Sequence, residues 1–562
     1  MVDGKGARKV AVTDQTKVFL AFQGGGARGI SHVGGLFAIR ALDMDIRGVA
    51  GTSAGAILAA LAAAGYPPEA LFNSEAGTHI LQSVSEGKYT DPTLLFTRKG
   101  WLSVSALRDL AKGWVVCKTW FQRRYWLVRW AAAAIALTGI LGLFWKAPLW
   151  THLSLVAVLA LAWMGCRWVL KGLAPLTAIR DLMDEAIASR LQIPREVTFA
   201  QMADAGGLPL KLVATNVTTQ SVQLFSRETT PNVVVADAVT ASICLPLIFK
   251  PCQFNVQAGE VVTTNRYLDG GLLSNLPLWP FDEERDLDRD VITVAFGLRA
   301  ASAVPEQPIH WLPAVVNAIV SGPTQIHMRG IRHLVQIALP THLQLLDFDA
   351  GFEAFSGEIA AAYQAAVQAL DEQVENPRTI KEALHEIREA LIEALSNTQW
   401  PGEVAEPAGT GSVRLRLSLI IQRKNSTQSL QIAFEDGHRR SQRGDAFSLR
   451  DSEPGVAWRE RLTHTNGRPV LFAASSFPER IYPDTAWMTM VPIPLDHAAG
   501  AEQADSHRAV ILLVDCVGEL PTRFQQSSAA LRLLSETIYV NALHFAEVYD
   551  LGRMARSTEL WL

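Results

Sequence analysis

Twice near its start, the chain passes from a short apolar stretch through a glycine-rich turn into a helical pattern. The apolar stretches cover residues 17–23 and 46–50, and the helical patterns follow at 33–42 and 54–64. Buried strands joined by helices pair in parallel, because the crossover brings the chain back to the same end of the sheet. Further short strands are predicted at 210–216, 233–235, 266–268 and 291–296. The sequence therefore predicts an α/β fold with a largely parallel sheet.

The size of the chain predicts more than one domain. At 562 residues it exceeds the length at which a single hydrophobic core stops growing. Apolar residues make up 49% and charged residues 19%, with a mean hydropathy of +0.14, so an apolar excess must be located somewhere. The formal net charge of −4 gives no argument for nucleic-acid binding. Residues 1–16 are polar and charged, which predicts a tail and no secretory signal.

The apolar excess is concentrated between Trp126 and Leu170, in two runs separated by Lys146-Ala147-Pro148. Each run is slightly shorter than the roughly 20 residues that a perpendicular transmembrane helix needs. Basic residues flank the pair and tryptophans lie near the run ends, which favours both flanks on the cytoplasmic side of a membrane. We predict an inserted membrane helical hairpin over residues 123–171. A buried helical pair and a shallow re-entrant hairpin are the alternatives.

The C-terminal part predicts a separate domain. A helical stretch over 356–397, interrupted at Asn376-Pro377, leads into a linker rich in Pro, Gly and Glu. Within residues 411–552, strands are predicted at 413–422, 430–434, 470–473, 487–494 and 509–516, before a closing helix at about 524–549. The segment 453–470 resembles the middle of a GAF domain, where a glycine turn and a helix end in a Gly-x-Pro-Val strand. This resemblance implies an α+β regulatory domain and leaves its small-molecule or protein ligand, and self-association, open.

The turn after the second strand, Gly51-Thr52-Ser53-Ala54-Gly55, has the pattern of a nucleophile elbow. In such a sharp strand-to-helix turn the serine hydroxyl is presented to substrate, and small neighbours allow the tight backbone. The helix that follows directs its free N–H groups and its dipole toward developing negative charge. The pattern is short, so an ordinary small-residue turn is the alternative.

The turn after the first strand reads Gln23-Gly24-Gly25-Gly26-Ala27-Arg28-Gly29. Successive glycine N–H groups can form an anion-binding concavity, as an oxyanion hole requires. A nucleotide phosphate loop is the rival, but the Lys-Ser/Thr ending of that loop is absent. Arg28 is expected either to fix this turn or to meet a lipid phosphate.

A carboxylate followed by two glycines, Asp269-Gly270-Gly271, ends a later predicted strand. Aspartate before glycine is common in ordinary turns, so this motif is informative only together with the others.

These motifs, in this order, resemble the patatin-like phospholipase family, and so does the block from Asp237 to Phe249 with Ser242 and Pro246. The resemblance covers roughly residues 17–300, and it places a catalytic domain with a three-layer α/β/α fold at 17–340. It implies that Ser53 is the nucleophile and Asp269 its base. It also implies that the N–H groups of Gly24, Gly25 and Gly26 form the oxyanion hole, with the other motif residues in support: Arg28, Gly29, Gly51, Gly55, Gly270 and Gly271.

The expected function is a membrane-associated serine acyl hydrolase that cleaves ester bonds of phospholipids or related lipids. The expected partners are a lipid membrane and a lipid substrate, and no cofactor or metal is expected. A Ser-Asp-His triad, with His310, His327 or His333, is the competing mechanism. A lipid acyltransferase and a lipid-binding signalling protein are the alternative functions.

Overall fold

The computed structural model describes residues 15–79, 92–109, 171–300 and 331–397, and in the C-terminal part 414–422, 429–438, 446–450, 470–473, 485–493, 510–517 and 528–551. Short gaps interrupt these ranges, and a few isolated residues are described between them. The chain divides into two compact units, one spanning Gln15–Gln368 and one beginning at Ala369.

The first unit contains an eight-stranded mixed sheet. The strands of this unit are β1 (Lys17–Phe22), β2 (Asp45–Thr52), a short separate hairpin of β3 (Phe72–Asn73) and β4 (Thr78–His79), β5 (Leu210–Asn216), β6 (Ser221–Phe225), β7 (Cys252–Ala258), β8 (Val261–Asp269), β9 (Ile292–Ala300) and β10 (Leu334–Thr341). The order is β10-β9-β1-β2-β5-β8-β7, with β6 also paired to β5. The central strand β1 is buried from Val18 to Phe22, as expected for a parallel strand covered on both faces.

Pairing is parallel from β10 to β5 and antiparallel beyond β5. The predicted parallel sheet is therefore correct for one half only. The other half is antiparallel, and the connections within β5–β6 and β7–β8 are too short for the crossover that a parallel pair needs. The predicted strand at 233–235 is wrong. Val234 makes only an isolated bridge to Thr198, and Val235 begins a helix.

The helices of this unit connect and cover the strands. They are α1 (Ser31–Ala41), α2 (Ala54–Ala63), α3 (Pro68–Leu71), α4 (Thr177–Leu191), α5 (Phe199–Asp204), α6 (Val235–Ser242), α7 (Asp282–Leu287) and α8 (Phe352–Leu370). The connection from β2 to α2 is a single residue, Ser53. The alanine-rich sequence of α2 lets this helix pack closely against β1, β2 and β5.

The predicted break before Pro377 is a π-helical turn, Asp371–Glu375, which lies between α8 and α9 (Asn376–Asn397). Proline lacks an N–H group and its ring collides with the preceding helical turn. A π-helical turn shifts the hydrogen-bond register and accommodates the proline without ending the helix.

The second unit contains a six-stranded antiparallel sheet. Its strands are β11 (Arg414–Gln422), β12 (Ser429–Asp436), β13 (Ala446–Ser448), β14 (Val470–Ala473), β15 (Thr485–Pro492) and β16 (Val510–Val517), in the order β13-β12-β11-β16-β15-β14. Leucines 415, 417 and 419 alternate along β11 and enter one hydrophobic core with α9 and with α10 (Ser528–Val548). The predicted strands and closing helix are present, and the GAF-like assignment stays a prediction.

The predicted membrane hairpin, 123–171, lies almost entirely outside the described residues. Within the part of the chain that is described, no helix combines the length and the apolar character needed to cross a bilayer.

Candidate functional site

Ser53 lies at a sharp turn between the end of β2 and the start of α2. Its backbone has φ 54° and ψ −125°, a conformation that residues with a side chain rarely adopt. Such strain persists only where the surroundings enforce it, and it is typical of functional sites. The flanking glycines make the turn possible, because a Cβ at Gly51 would collide with the Gly55 carbonyl and one at Gly55 with the Phe22 carbonyl. The predicted elbow geometry is thus present.

Three hydrogen bonds tie the elbow to the structure around it. The Ser53 N–H donates to the Ser242 hydroxyl at 2.9 Å, and that hydroxyl donates to the Val213 carbonyl at 2.6 Å. The Thr52 hydroxyl donates to the Ser274 carbonyl at 2.9 Å. Ser242 therefore positions the backbone of Ser53, which gives a physical reason for the Ser242 block noted in the sequence.

Asp269 lies at the end of β8, next to Ser53 although 216 residues separate them. The Ser53 hydroxyl donates to Asp269 Oδ2 at 2.6 Å, and the Gly271 N–H donates to Oδ1 at 2.7 Å. Both side chains are buried. Burial raises the pKa of Asp269 to about 6, against the opposing effect of the hydrogen bonds from Ser53 and Gly271. A carboxyl group with this pKa is mostly ionised at neutral pH and can still accept a proton.

No histidine among the described residues hydrogen-bonds to Asp269 or Ser53. His32 is fully buried, donates from Nε2 to the Gln23 carbonyl at 2.8 Å, and has its pKa lowered to about 4 by burial. It therefore supports the loop as a neutral ring. His333 is exposed at the turn before β10, and His310 and His327 lie outside the described residues.

The glycine-rich loop lies directly beside Ser53. A Cβ at Gly24 would lie 3.0 Å from the Ser53 Cβ. The Gly24 N–H donates to the Asn275 carbonyl at 2.9 Å, and the Ala27 N–H donates to the Leu345 carbonyl at 3.0 Å. Among the described residues, the backbone N–H groups of Gly25 and Gly26 have no such acceptor. The Gly24 N–H is thus already hydrogen-bonded, and the oxyanion hole predicted from Gly24, Gly25 and Gly26 stays a prediction.

The remaining motif residues hold the loop and the turns in close contact. Arg28 Nε donates to the Gly25 carbonyl at 3.3 Å, and burial lowers the pKa of Arg28. A Cβ at Gly29 would lie 2.5 Å from the Ala54 Cβ, so glycine lets the loop approach α2. A Cβ at Gly270 would collide with the Val213 carbonyl, and one at Gly271 would lie 2.9 Å from Asp269 Oδ1. Of the two roles considered for Arg28, the geometry supports fixing the loop.

The sequence did not indicate two contacts of the loop, those with Asn275 and Leu345. Asn275 follows the Asp269 motif closely, so its proximity could have been inferred from that motif. Leu345 lies between β10 and α8, and no local pattern in the sequence relates this segment to the loop.

The probable lipid hydrolase 463L of Invertebrate iridescent virus 6 is 31% identical over 87 residues, which are 16% of this chain and 27% of the viral protein. The match thus spans about a quarter of that relative's length. The protein YqhO of Bacillus subtilis is 25% identical over 284 residues, covering 50% of this chain and 70% of YqhO.

Two solved structures align at low similarity. VipD from Legionella pneumophila aligns with 15% identity and a TM-score of 0.31, over 69% of this chain and 77% of VipD. The type III effector ExoU aligns with 15% identity and a TM-score of 0.26, over 70% of this chain and 67% of ExoU. TM-scores this low do not establish a shared fold.

The match to a protein family is specific and coincides with the site. The patatin-like phospholipase family matches residues 20–282, a range that contains the glycine loop, the elbow and the Asp269 turn. The predicted family is therefore confirmed for this range: residues 20–282 form a patatin-like phospholipase domain.

Proposed function

We propose that this protein hydrolyses acyl ester bonds of lipids through a Ser53–Asp269 dyad and an acyl-enzyme intermediate. The observation that carries the proposal is the buried 2.6 Å hydrogen bond from the Ser53 hydroxyl to Asp269. The strained backbone of Ser53 supports it, and so do the N–H groups of Gly25 and Gly26, which have no backbone acceptor within the described part of the chain. The match to patatin-like phospholipases supports a lipid ester as substrate.

In the acylation step, Ser53 Oγ attacks the ester carbonyl carbon and Asp269 accepts the hydroxyl proton. The carbonyl oxygen becomes an oxyanion, which the N–H groups of Gly25 and Gly26 stabilise by hydrogen bonds. When the carbon–oxygen bond to the alcohol breaks, the leaving alkoxide takes the proton back from Asp269. Ser53 is left as an acyl ester, so a difficult substitution is divided into two easier steps.

In the deacylation step, Asp269 accepts a proton from a water molecule that attacks the acyl-enzyme. Collapse of the second oxyanion releases the carboxylic acid and returns the proton to Ser53. An alcohol in place of water would give a transferred ester, so hydrolase and acyltransferase share every residue of the mechanism.

We further propose that the protein acts at a membrane surface. The apolar runs between Trp126 and Leu170, with basic residues on both sides, support this proposal. Attachment to a bilayer raises the effective concentration of an insoluble substrate around the site.

The product of the reaction is the test of this function. Detergent-purified full-length protein is incubated with mixed phospholipid vesicles, with and without a lysophospholipid as acyl acceptor, and the lipids are quantified by mass spectrometry. We expect free fatty acid and lysophospholipid from the wild type, and only background release from Ser53→Ala. Acyl groups recovered mainly on the added acceptor would instead establish an acyltransferase. No turnover of any ester lipid by the wild type would contradict the proposal.

A further inference from the structure

An apolar cavity of about 200 Å³ lies beside the elbow in the first unit. One wall is the face of α2 formed by Ala54, Ile57, Leu58 and Leu61, and the glycine loop contributes Gly26. Apart from His79, every described residue that lines the cavity is apolar. A cavity of this character accommodates hydrocarbon and offers no charged side chain to a phosphate or another polar head group.

Two of the residues that line the cavity are neighbours of the reacting centre. Ala54 follows the nucleophile directly, and Gly26 belongs to the loop proposed to bind the oxyanion. Residues 54, 57, 58 and 61 have the i, i+3, i+4, i+7 spacing that places side chains on one face of a helix. From Ala54 to Leu61 this face extends roughly 10 Å away from Ser53, at about 1.5 Å per residue. A chain attached to the carbonyl carbon at Ser53 could therefore follow α2.

Aromatic side chains also line the cavity. Phe72 is buried and stacks on Phe352, with ring centroids 4.5 Å apart. Phe355 belongs to α8, and Phe348 belongs to the segment just before this helix. The ring of Phe348 packs on that of Phe96, with ring centroids 5.2 Å apart. Phe348, Phe352 and Phe355 lie beyond residue 282, where the family match ends. This chain thus supplies part of the wall from residues outside the matched range.

We propose that this cavity binds the acyl chain of the substrate ester and that Leu61 and Phe355 limit the length of acyl chain that fits. The inference rests on the proposed function, because it assumes an acyl group on Ser53. The alcohol part of the ester then lies on the other side of the carbonyl, outside the cavity. Selection by the cavity therefore acts on acyl length and not on the head group.

The test measures kcat/KM for 4-nitrophenyl esters with acyl chains from acetyl to hexadecanoyl, so that the leaving group is constant. Burial of one methylene group in an apolar site contributes about 0.8 kcal/mol, which corresponds to about a fourfold rise in kcat/KM per added methylene. We expect this rise over the shorter acyl chains, followed by a plateau or a fall once the cavity is full.

Two variants are expected to change the longest acyl chain that the cavity accommodates, in opposite directions. Ile57→Phe, one helical turn from Ala54, is expected to lower the ratio of decanoyl to acetyl kcat/KM by about tenfold or more, as a filled apolar pocket does. Leu61→Ala is expected to shift the optimum to longer chains. Leu36→Ala is the matched control, because Leu36 is similarly buried in α1 but does not line the cavity. It should leave the chain-length profile unchanged even if the melting temperature falls.

The outcomes separate this inference from the proposed function. The acyl assignment would be overturned if Ile57→Phe changed kcat/KM equally for all acyl lengths. It would also be overturned if the chain-length profile were unchanged in both cavity variants. Either result would leave the Ser53 mechanism intact. Hydrolysis that persists in Ser53→Ala with every ester would instead overturn the proposed function.

Discussion

Replacing Ser53 with alanine is expected to lower kcat/KM for ester hydrolysis by at least about 10⁴-fold. Alanine keeps the Cβ and the backbone conformation but removes the oxygen that forms the acyl-enzyme. The loss should therefore appear in kcat, with substrate affinity nearly unchanged, and single-turnover kinetics on one soluble ester measure it. A variant that keeps more than a few per cent of wild-type turnover would contradict the role of Ser53.

Ser53→Gly provides a matched control for folding. Both variants lack the nucleophile, but only glycine adopts a φ of 54° without strain. Relief of strain at a position of this kind contributes on the order of 1–3 kcal/mol, so Ser53→Gly should melt at a higher temperature than Ser53→Ala. If both variants are folded and inactive, the loss of activity is chemical and not structural.

Replacing Asp269 with asparagine is expected to lower kcat by about 10³-fold, within the range for a general base. Asparagine can still accept the hydrogen bond from Gly271, but it then presents its amide NH₂ group to Ser53 and cannot take the proton. In the wild type, kcat/KM should fall about tenfold per pH unit below pH 6, because the pKa of Asp269 is raised to about 6. The residual activity of the variant should lack this dependence, and a wild-type acid limb well above or below this pH would contradict the assignment.

Asp269→Asn is also expected to change the free energy of unfolding by an amount that depends on pH. A carboxyl group with a raised pKa in the folded state stabilises the fold at low pH, and this contribution is lost as pH rises through the folded-state pKa. The pKa of Asp269 rises from the ordinary value of 3.8 to about 6. The free energy of unfolding of the wild type therefore falls by about 3 kcal/mol by pH 8. The melting temperature of the variant relative to wild type should therefore increase between pH 4 and pH 8. A constant or decreasing difference would contradict the raised pKa.

The parts of the fold that the sequence predicted are those with a local physical cause. Strand β5 and strand β14 begin and end at the predicted residues, because each is a short stretch rich in apolar side chains. The elbow was predictable because its small residues permit a backbone that larger ones forbid. The Ser53–Asp269 pair depends on the antiparallel pairing of β8 with β5, which brings Asp269 beside Ala214. It could be inferred only from the family pattern.

The parts that escaped prediction depend on contacts between distant segments. A loop N–H group is available to an oxyanion only if it does not already donate to another acceptor. The N–H group of Gly24 donates to the Asn275 carbonyl. The aromatic wall of the cavity combines β3 with the segment around Phe348 and α8, which are far apart in the sequence. The sequence pattern of these segments does not indicate that they contact one another.

Labelling by a fluorophosphonate tests the central claim most directly, because this reagent forms a stable covalent bond only with an activated serine. The wild type is treated with the reagent, digested and analysed by peptide mass spectrometry, with Asp269→Asn as a matched protein that keeps Ser53. We expect a single adduct on Ser53 in the wild type, formed together with loss of ester hydrolysis, and much slower labelling of Asp269→Asn. An adduct on another serine, or full hydrolytic activity after Ser53 is labelled, would contradict the account.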